Sequence, residues 1–491
     1  MKKLILYLFL TSFVFVGCED FLDETPDAFR TPQGFFEKES EVTQAVSAIY
    51  RTNGALHGGY GNARLQLRFG ESRSDNTNIE VTGDGGGIDD DRLNEFTMEA
   101  TNGRIGAYWS TNYEGISRAN YVLANFERAT YNDMATKDFR EGEALFFRAL
   151  FHFNLVRVYG DIPYVTQAGE TPEQIVSEEF TERDPVAEVY ENLLTDVNRA
   201  ITLLPNPNNL AAEDVGRATR GAALMLKAKI LMAQQNYADA IQPLEQIRSF
   251  GYQLLGNYSD IFGTKNHAEG IFEIQFDFNL NQTGNFFTNF VPASSGETIL
   301  GTGNTPNNRG NQFQPTSELI ALYSDDDQRK AHNISIFVDG GGNEIPWGSK
   351  FAFPFVEQGQ QDINWQMYRY ADALLMLAEC YERAGGGDPV AILVQIRTRA
   401  GLADPNLSAE ELADLEQTIA DERRRELAFE GHRFFDLLRT GKLVEVMSAH
   451  GAQQVADGLT VTDGAYQNIR TVVGLPQAQI DQFGLQQNPG W

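Results

Sequence analysis

The feature of this sequence that most constrains its fold is a pair of segments with the pattern of helical hairpins. Residues 218–251 carry apolar side chains at helical spacing on both sides of a short Gln-Gln-Asn turn. A tetratricopeptide-like hairpin places small residues and a tyrosine at the positions occupied here by Ala228, Ala233, Tyr237 and Ala240. A second predicted pair, interrupted by Gly385-Gly386-Gly387, covers residues 371–400. Because small residues let helices approach closely, such hairpins stack into a layered scaffold.

Helical periodicity extends along most of the chain. One face of residues 139–159 carries the apolar side chains of Phe147, Leu150, Phe151, Leu155 and Val158. The same criterion predicts helices over residues 105–128, 139–159, 186–204, 220–234, 237–249, 369–384, 390–400 and 410–429. Residues 271–278 alternate as a strand does. The sequence therefore predicts a mainly α fold, a tetratricopeptide-like helical hairpin scaffold with long irregular loops and a few short strands.

Capping signals support two of the predicted helix starts. Asp184 before Pro185 predicts an N-cap followed by proline at the first helical position. Ser408 and Glu411 have the spacing of a capping box, in which each side chain accepts a hydrogen bond from the other residue's backbone.

The N-terminus has the layout of a bacterial lipoprotein signal peptide. Lys2 and Lys3 precede an apolar run that ends at Gly17, and Cys18 follows directly. The sequence around Cys18 resembles a lipobox, so we expect residues 1–17 to be removed and Cys18 to be acylated. Two or three acyl chains give stable membrane anchorage. An ordinary signal peptide followed by a chance cysteine is the alternative.

Charge and cysteine content exclude some classes of protein. The formal charge of -29 makes nucleic acid an unfavourable partner, because phosphate binding needs clustered Lys and Arg. Besides Cys18 the one cysteine is Cys380, so acylation of Cys18 leaves no internal disulfide. Cys380 lies in an apolar predicted helix, where a buried and inert thiol is expected.

Two irregular regions, residues 53–103 and 279–366, are rich in Gly, Asn, Thr and aromatic residues. Long irregular segments of a large domain are usually functional or disordered, and the aromatic content disfavours disorder. Aromatic faces stack against sugar rings and amides pair with hydroxyl groups. These regions therefore predict a glycan site that includes Tyr60, Asn62, Arg73, Asp75, Asn78, Trp347 and Trp365. For each aromatic residue, packing inside the loop core is the alternative, and Trp109 is predicted to be core.

Six ordered blocks resemble the SusD/RagB family of nutrient-binding outer-membrane lipoproteins. They are Cys18-Glu19-Asp20-Phe21-Leu22-Asp23 with Pro26, and residues 140–164, 217–241, 368–402, 419–441 and 487–491. A local departure occurs at residues 475–479, where the family usually has an additional Pro-Ile pair. The resemblance implies one SusD-like domain over residues 18–491, with its helical scaffold at about 35–52, 104–278 and 367–445.

The resemblance also implies a function and a location. Loops of such proteins bind an oligosaccharide and pass it to a SusC-like TonB-dependent outer-membrane transporter, and the protein is lipid-anchored and exposed at the cell surface. A peptide-binding member of the family, and a structural partner of the transporter without its own ligand affinity, are the alternatives. An aromatic platform favours glycan, whereas a peptide site needs an exposed strand edge or a charged clamp.

An enzymatic function is not expected. The sequence has no zinc-binding His-Glu-x-x-His, nucleophile-elbow Gly-x-Ser-x-Gly or phosphate-binding Gly-x-x-x-x-Gly-Lys motif. The charged block Arg423, Arg424, Arg425, Glu426, Glu430 and Arg433 is predicted to form ion pairs that fix helix packing, with an anion or catalytic site as the alternative.

No cofactor is expected, and a structural calcium ion is the one metal to consider. Two acidic runs offer carboxylates, one with Asp84, Asp89, Asp90 and Asp91, the other with Asp325, Asp326 and Asp327. Neither run has the spacing of an EF-hand loop, and solvated acidic turns are the commoner explanation.

Overall fold

The computed structural model describes residues 35–58, 64–79, 87–169, 177–280, 282–284, 286–306, 310–357 and 360–491. Twelve of the helices in this part of the chain form the scaffold. They are α1 (Glu39–Leu56), α2 (Gly103–Asn125), α3 (Met134–Tyr159), α4 (Val186–Leu203), α5 (Arg220–Ala233), α6 (Tyr237–Arg248), α7 (Tyr370–Ala384), α8 (Pro389–Arg399), α9 (Leu415–Leu427), α10 (Arg433–Arg439), α11 (Leu443–Ala456) and α12 (Gln477–Phe483).

Shorter elements fill the connections. The short α-helices are Leu65–Leu67, Ile88–Asn94, Glu178–Thr181, Asp260–Gly263, Glu297–Leu300, Ser317–Leu322, Gln328–Asn333 and Ala409–Ala413, and a π-helical turn covers Arg68–Ser72. The strands are β1 (Thr77–Asn78), β2 (Gly270–Ile274), β3 (Gln314–Pro315), β4 (Ile334–Val338), β5 (Glu344–Gly348) and β6 (Trp365–Arg369). Three antiparallel pairs result, β1 with β3, β2 with β6, and β4 with β5.

The scaffold is an array in which consecutive helices pack on one another from α1 to α8. The predicted hairpin α5–α6 is confirmed, and its small residues Ala228 and Ala240 are fully buried. Gln235 adopts a left-handed conformation in the turn, and the Asn236 side chain accepts a hydrogen bond from the backbone N–H of Asp239. The mainly α, tetratricopeptide-like scaffold predicted from the sequence is thereby confirmed.

Three local predictions need correction. Residues 410–429 form two helices instead of one, because the backbone turns at Asp414, whose side chain caps α9. The N-cap assigned to Asp184 is wrong: the Val186 N–H donates to Asp161, while the Asp184 carboxylate accepts from the Tyr164 N–H. The strand predicted over residues 271–278 ends at Ile274, where its pairing with β6 stops. The capping box at Ser408 is confirmed.

Two clusters of buried apolar side chains form the core. The first fills the space between the helices. The second lies beneath the irregular regions and is rich in aromatic rings, for example Phe290 and Phe313, whose centroids are 4.8 Å apart. Met367 on β6 packs against both clusters. Each large apolar side chain that is fully buried contributes about 1.5–3 kcal/mol, so the irregular regions are held by a core of their own.

Buried ion pairs join the irregular regions to the scaffold. Arg369 donates to Glu430 at 2.7 Å and to Glu426 at 2.6 Å, and Arg329 donates to Glu426 at 3.0 Å. Lys350 reaches Glu430 at 2.6 Å. Burial alone would raise the pKa of Glu426, but the guanidinium groups of Arg399, Arg369 and Arg329 outweigh burial and hold that pKa well below its usual range.

The prediction that residues 423–433 form structural ion pairs is therefore confirmed. The other members of the block are also paired: Arg423 with Asp372 and Asp436, Arg424 and Arg433 with Asp75, and Arg425 with Glu422. Removing one member of a buried pair leaves an uncompensated charge, which makes such a network intolerant of single substitutions.

Two further observations complete the fold. Among the helices that the structure describes, none combines the length and the apolar composition needed to cross a membrane. Cys380 on α7 is fully buried, and burial raises the pKa of its thiol to about 12.

Candidate functional site

The structure brings the two irregular regions of the sequence together. Strand β1 from the first region pairs with β3 from the second, with Thr77 opposite Pro315 and Asn78 opposite Gln314. The Thr316 hydroxyl also donates to the Asp75 carbonyl at 2.7 Å. We call the described residues between 64 and 79 and between 286 and 357 the loop layer. Residues that are more than 200 positions apart in the chain thus share one layer on the scaffold.

A buried polar cluster fixes the two halves of the loop layer. Arg68 donates to the Gln312 side chain at 2.9 Å and pairs with Asp90 at 2.9 Å. The Asn289 amide also donates to Gln312, and the Asn311 amide donates to the Pro346 carbonyl at 3.2 Å. All of these polar side chains are buried. The cluster therefore fixes the positions of the loops relative to one another.

An aromatic row crosses the loop layer. The rings of Trp347 and Phe287 have centroids 5.9 Å apart, and those of Phe287 and Phe355 are 6.2 Å apart. Trp347 on β5 is 8% exposed and Phe287 is 2% exposed, whereas Phe355 is half-buried. The predicted platform residue Trp347 is thus mostly covered, and within this row the accessible ring is that of Phe355.

Trp365 lies deeper than a platform residue would. It is 2% exposed on β6, and its ring centroid is 4.9 Å from that of Phe351. It also lines a cavity of about 300 Å³ inside the scaffold, as do His57 and Arg423. Burial lowers the pKa of His57 to about 4, so this histidine is neutral at physiological pH. The position gives Trp365 the packing role that was the alternative in the sequence analysis.

Arg73 is enclosed by aromatic rings. Its guanidinium carbon lies 4.0 Å from the centroid of Phe434 and 5.3 Å from that of Phe96. The side chain is fully buried, and its nitrogens have no hydrogen-bond partner among the described residues. Burial lowers the pKa of Arg73 to about 9. In this position the Arg73 guanidinium makes cation–π contacts inside the core and presents no group to a ligand.

Asp75 is an anchor between the loop layer and the scaffold. Its carboxylate accepts two hydrogen bonds from Arg433, at 2.8 and 2.9 Å, and pairs with Arg424 at 3.0 Å. Burial alone would raise the pKa of Asp75, but these two guanidinium groups outweigh burial and hold that pKa well below its usual range. Asp75 is 2% exposed, so both of its oxygens are used internally.

Asn78 is the predicted polar residue that keeps an unused group. It is 7% exposed on β1, and its side-chain oxygen has no hydrogen-bond partner among the described residues. The predicted site residues Tyr60 and Asn62 lie outside the described residues. The structure thus brings Asn78 and Trp347 into one layer, while Arg73, Asp75 and Trp365 lie in the core beneath it. A glycan-binding role for these residues stays a prediction.

The acidic runs considered for calcium are occupied by internal contacts. Asp90 lies between Arg68 and Arg104, and Asp327 pairs with Arg329 at 2.8 Å. Asp89 accepts from the Gly103 N–H at 2.9 Å. Within the described ranges no group of three or more His, Cys, Asp or Glu side chains is arranged to hold a metal ion. Asp84 lies outside those ranges.

Sequence reasoning missed Phe355, Gln312 and Asn289. Phe355 was not singled out because no periodic pattern distinguishes it from the other phenylalanines of its region. Gln312 and Asn289 belong to segments without helical or strand period. Gln312 accepts a hydrogen bond from Arg68, 244 residues away, and Asn289 donates to Gln312. No local signal in the sequence reports such a contact.

Comparisons with known proteins agree on one family. Residues 352–491 match the model described as the SusD family, and residues 20–232 match a second model described as starch-binding and associating with the outer membrane. SusD-like protein P25 of Formosa agariphila is 27% identical, over 91% of this chain and 91% of its own length.

Solved structures share the fold over most of both chains. A laminarin binding SusD-like protein is 26% identical, with a TM-score of 0.73, and the match covers 93% of this chain and 100% of that one. Surface glycan-binding protein A from Bacteroides uniformis is 24% identical, with a TM-score of 0.74 and a match over 92% and 99% of the two chains. At that identity the second likeness concerns the fold alone.

Proposed function

Because this chain belongs to the SusD-like family, we propose that it binds a neutral oligosaccharide on its loop layer and delivers it to a SusC-like TonB-dependent transporter. Binding without catalysis is part of the proposal. The observation that carries it is the pairing of β1 with β3, which makes one surface from the two regions that the sequence marks as irregular and rich in aromatic residues.

The aromatic row supplies the stacking contact that a sugar needs. The half-buried ring of Phe355 extends the row that starts at Trp347 and is available for stacking against a sugar ring. The side-chain oxygen of Asn78 has no partner among the described residues but is buried, so the proposal places no ligand contact on it. One related protein of known structure is described as laminarin binding, which supports a glucan as the first ligand to test.

The anchor and the transporter complete the proposal. Cys18, which lies outside the described residues, is expected to carry the acyl chains that hold the protein on the outer membrane. A binder on the cell surface does not itself move a polar oligosaccharide across a bilayer, so we expect a partner that does. A stable complex of this kind buries more than about 1,000 Å².

Binding is tested by affinity electrophoresis of the mature protein through a panel of polysaccharides, followed by calorimetric titration with oligosaccharides of the glycan that retards it. We expect a dissociation constant between micromolar and millimolar, about -8 to -4 kcal/mol, because a delivery protein must release its cargo. Phe355→Ala should weaken binding about three- to tenfold without changing the thermal midpoint, because a half-buried stacking ring contributes roughly 0.5–1.5 kcal/mol.

Phe353→Ala is the matched control. Phe353 is also half-buried and lies two positions away, but it packs on His332 and Gly263 outside the aromatic row. Trp347→Ala should instead lower the free energy of unfolding by about 3–5 kcal/mol, because Trp347 is mostly buried. If Phe355→Ala and Phe353→Ala bind every retained glycan as the wild type does, the loop layer is not the binding surface.

The anchor and the transporter are tested separately. Cys18→Ala should release the protein from membranes and abolish labelling with palmitate. Gentle detergent extraction of a tagged copy should recover a barrel protein, and recovery of the tagged protein alone in repeated experiments would contradict delivery to a transporter.

A further inference from the structure

A second concave surface lies on the helical scaffold, built by α2, α12 and the residues after α3. Its volume is about 320 Å³, within the range of about 300–1,000 Å³ that is typical of small-molecule sites. Trp109 and Tyr113 line it from α2, where their ring centroids are 4.7 Å apart. Trp109 is 4% exposed, which confirms the prediction that it is core, whereas Tyr113 is half-buried. Phe180 and Phe483 add further rings, and both are half-buried. We call this surface the scaffold groove.

The rim of the scaffold groove carries uncommitted polar groups. The side chains of Gln482, Gln479 and Ser117 line the groove and make no hydrogen bond within the described part of the chain. None of the described residues that line it is charged. Its amides offer hydrogen-bond donors and acceptors to a ligand with hydroxyl groups.

We propose that the scaffold groove is a second glycan site, which accepts one or two rings of a neutral oligosaccharide. The half-buried rings of Tyr113, Phe180 and Phe483 stack against the C–H face of a sugar, and the free amides of Gln479 and Gln482 pair with its hydroxyl groups. This inference rests on the proposed function of the chain as a glycan binder. The second site shares no residue with the loop layer.

The four tryptophans allow the two surfaces to be observed separately. In protein labelled with 5-fluorotryptophan, the ¹⁹F resonance of Trp109 reports the scaffold groove and that of Trp347 reports the loop layer. The probes are laminarihexaose, maltohexaose and xylohexaose, each titrated to millimolar concentration. We expect at least one probe to shift the Trp109 resonance in a saturable way, independently of any shift at Trp347.

Two rim variants and one control test the assignment. Gln482→Ala should raise the dissociation constant measured from the Trp109 resonance at least threefold. Ser117→Tyr places a large side chain in the groove from an exposed position and should abolish the shift. Gln477→Ala is the control, because Gln477 is exposed on α12 and bonds to Asp481 outside the groove. All three positions are exposed, so the variants are expected to fold.

The outcomes separate this inference from the proposed function. A saturable shift at Trp109 that the rim variants weaken and the control leaves unchanged supports the second site. A shift at Trp347 alone supports the loop layer and overturns the second site. If no probe shifts the Trp109 resonance, the second site is overturned.

Discussion

Replacing Asp75 by asparagine tests how the loop layer is attached to the scaffold. The carboxylate is the one hydrogen-bonding partner of the Arg433 guanidinium within the described residues, and it also neutralises Arg424. Both arginine side chains are at most 10% exposed. Removing one partner of a buried pair costs about 3–5 kcal/mol, because the remaining charge is left uncompensated. We expect Asp75→Asn to lower the free energy of unfolding by about 3 kcal/mol, at the lower end of this range, because the amide keeps one hydrogen-bond acceptor.

The assay is equilibrium unfolding in urea, with Asp463→Asn as the matched control. Asp463 is exposed and forms no ion pair in the described structure, so its substitution should change the free energy of unfolding by less than about 0.5 kcal/mol. Calorimetric titration with the retained glycan should give the same dissociation constant for Asp75→Asn and wild type, because Asp75 lies beneath the binding surface.

The pH dependence follows from the direction of the Asp75 pKa. The pKa is lowered in the folded state, so the stabilisation is complete above the ordinary aspartate pKa of about 3.9 and is lost as pH falls towards the lower folded-state value. The difference in the free energy of unfolding between wild type and Asp75→Asn should therefore be the same at pH 8 and pH 5.5, and it should shrink below about pH 4. A difference under about 1 kcal/mol at pH 7, or weaker glycan binding with unchanged stability, would refute the reasoning.

Three further predictions concern Gly70 and Glu71 in the loop layer and Cys380 in the scaffold. Gly70→Ala should lower the free energy of unfolding in urea by about 3 kcal/mol, because the added Cβ would lie 2.0 Å from the Gly431 carbonyl oxygen. Gly106→Ala in α2 is the control, because a Cβ there meets no atom within 4 Å and should not destabilise the protein. Burial raises the pKa of Glu71 to about 7, so the favourable contribution of its neutral form is present below about pH 4.3 and lost as pH rises through 7. The stability of wild type relative to Glu71→Gln should fall between pH 5 and pH 8. Cys380 should react with Ellman's reagent only after unfolding, and rapid reaction of the native protein would contradict its burial.

The sequence by itself determined the scaffold. The apolar stripe of residues 139–159 and the small residues of the α5–α6 hairpin specify helices and their close pairing, because these signals are local and periodic. The sequence also predicted ion pairs for residues 423–433, since four arginines and two glutamates close together in the chain need partners of opposite charge. It did not identify those partners, and Asp75, Asp372 and Arg369 lie far from the run in the chain.

The tertiary structure alone decided which residues of the irregular regions face outward. Trp347, Trp365 and Asp75 have the same local character as surface residues, but the second aromatic core and the buried ion pairs enclose them. The pairing of β1 with β3, the contact of Arg68 with Gln312 and the exposure of Phe355 arise between distant segments. Burial depends on what packs against a residue from elsewhere in the chain, and local sequence carries no record of that contact.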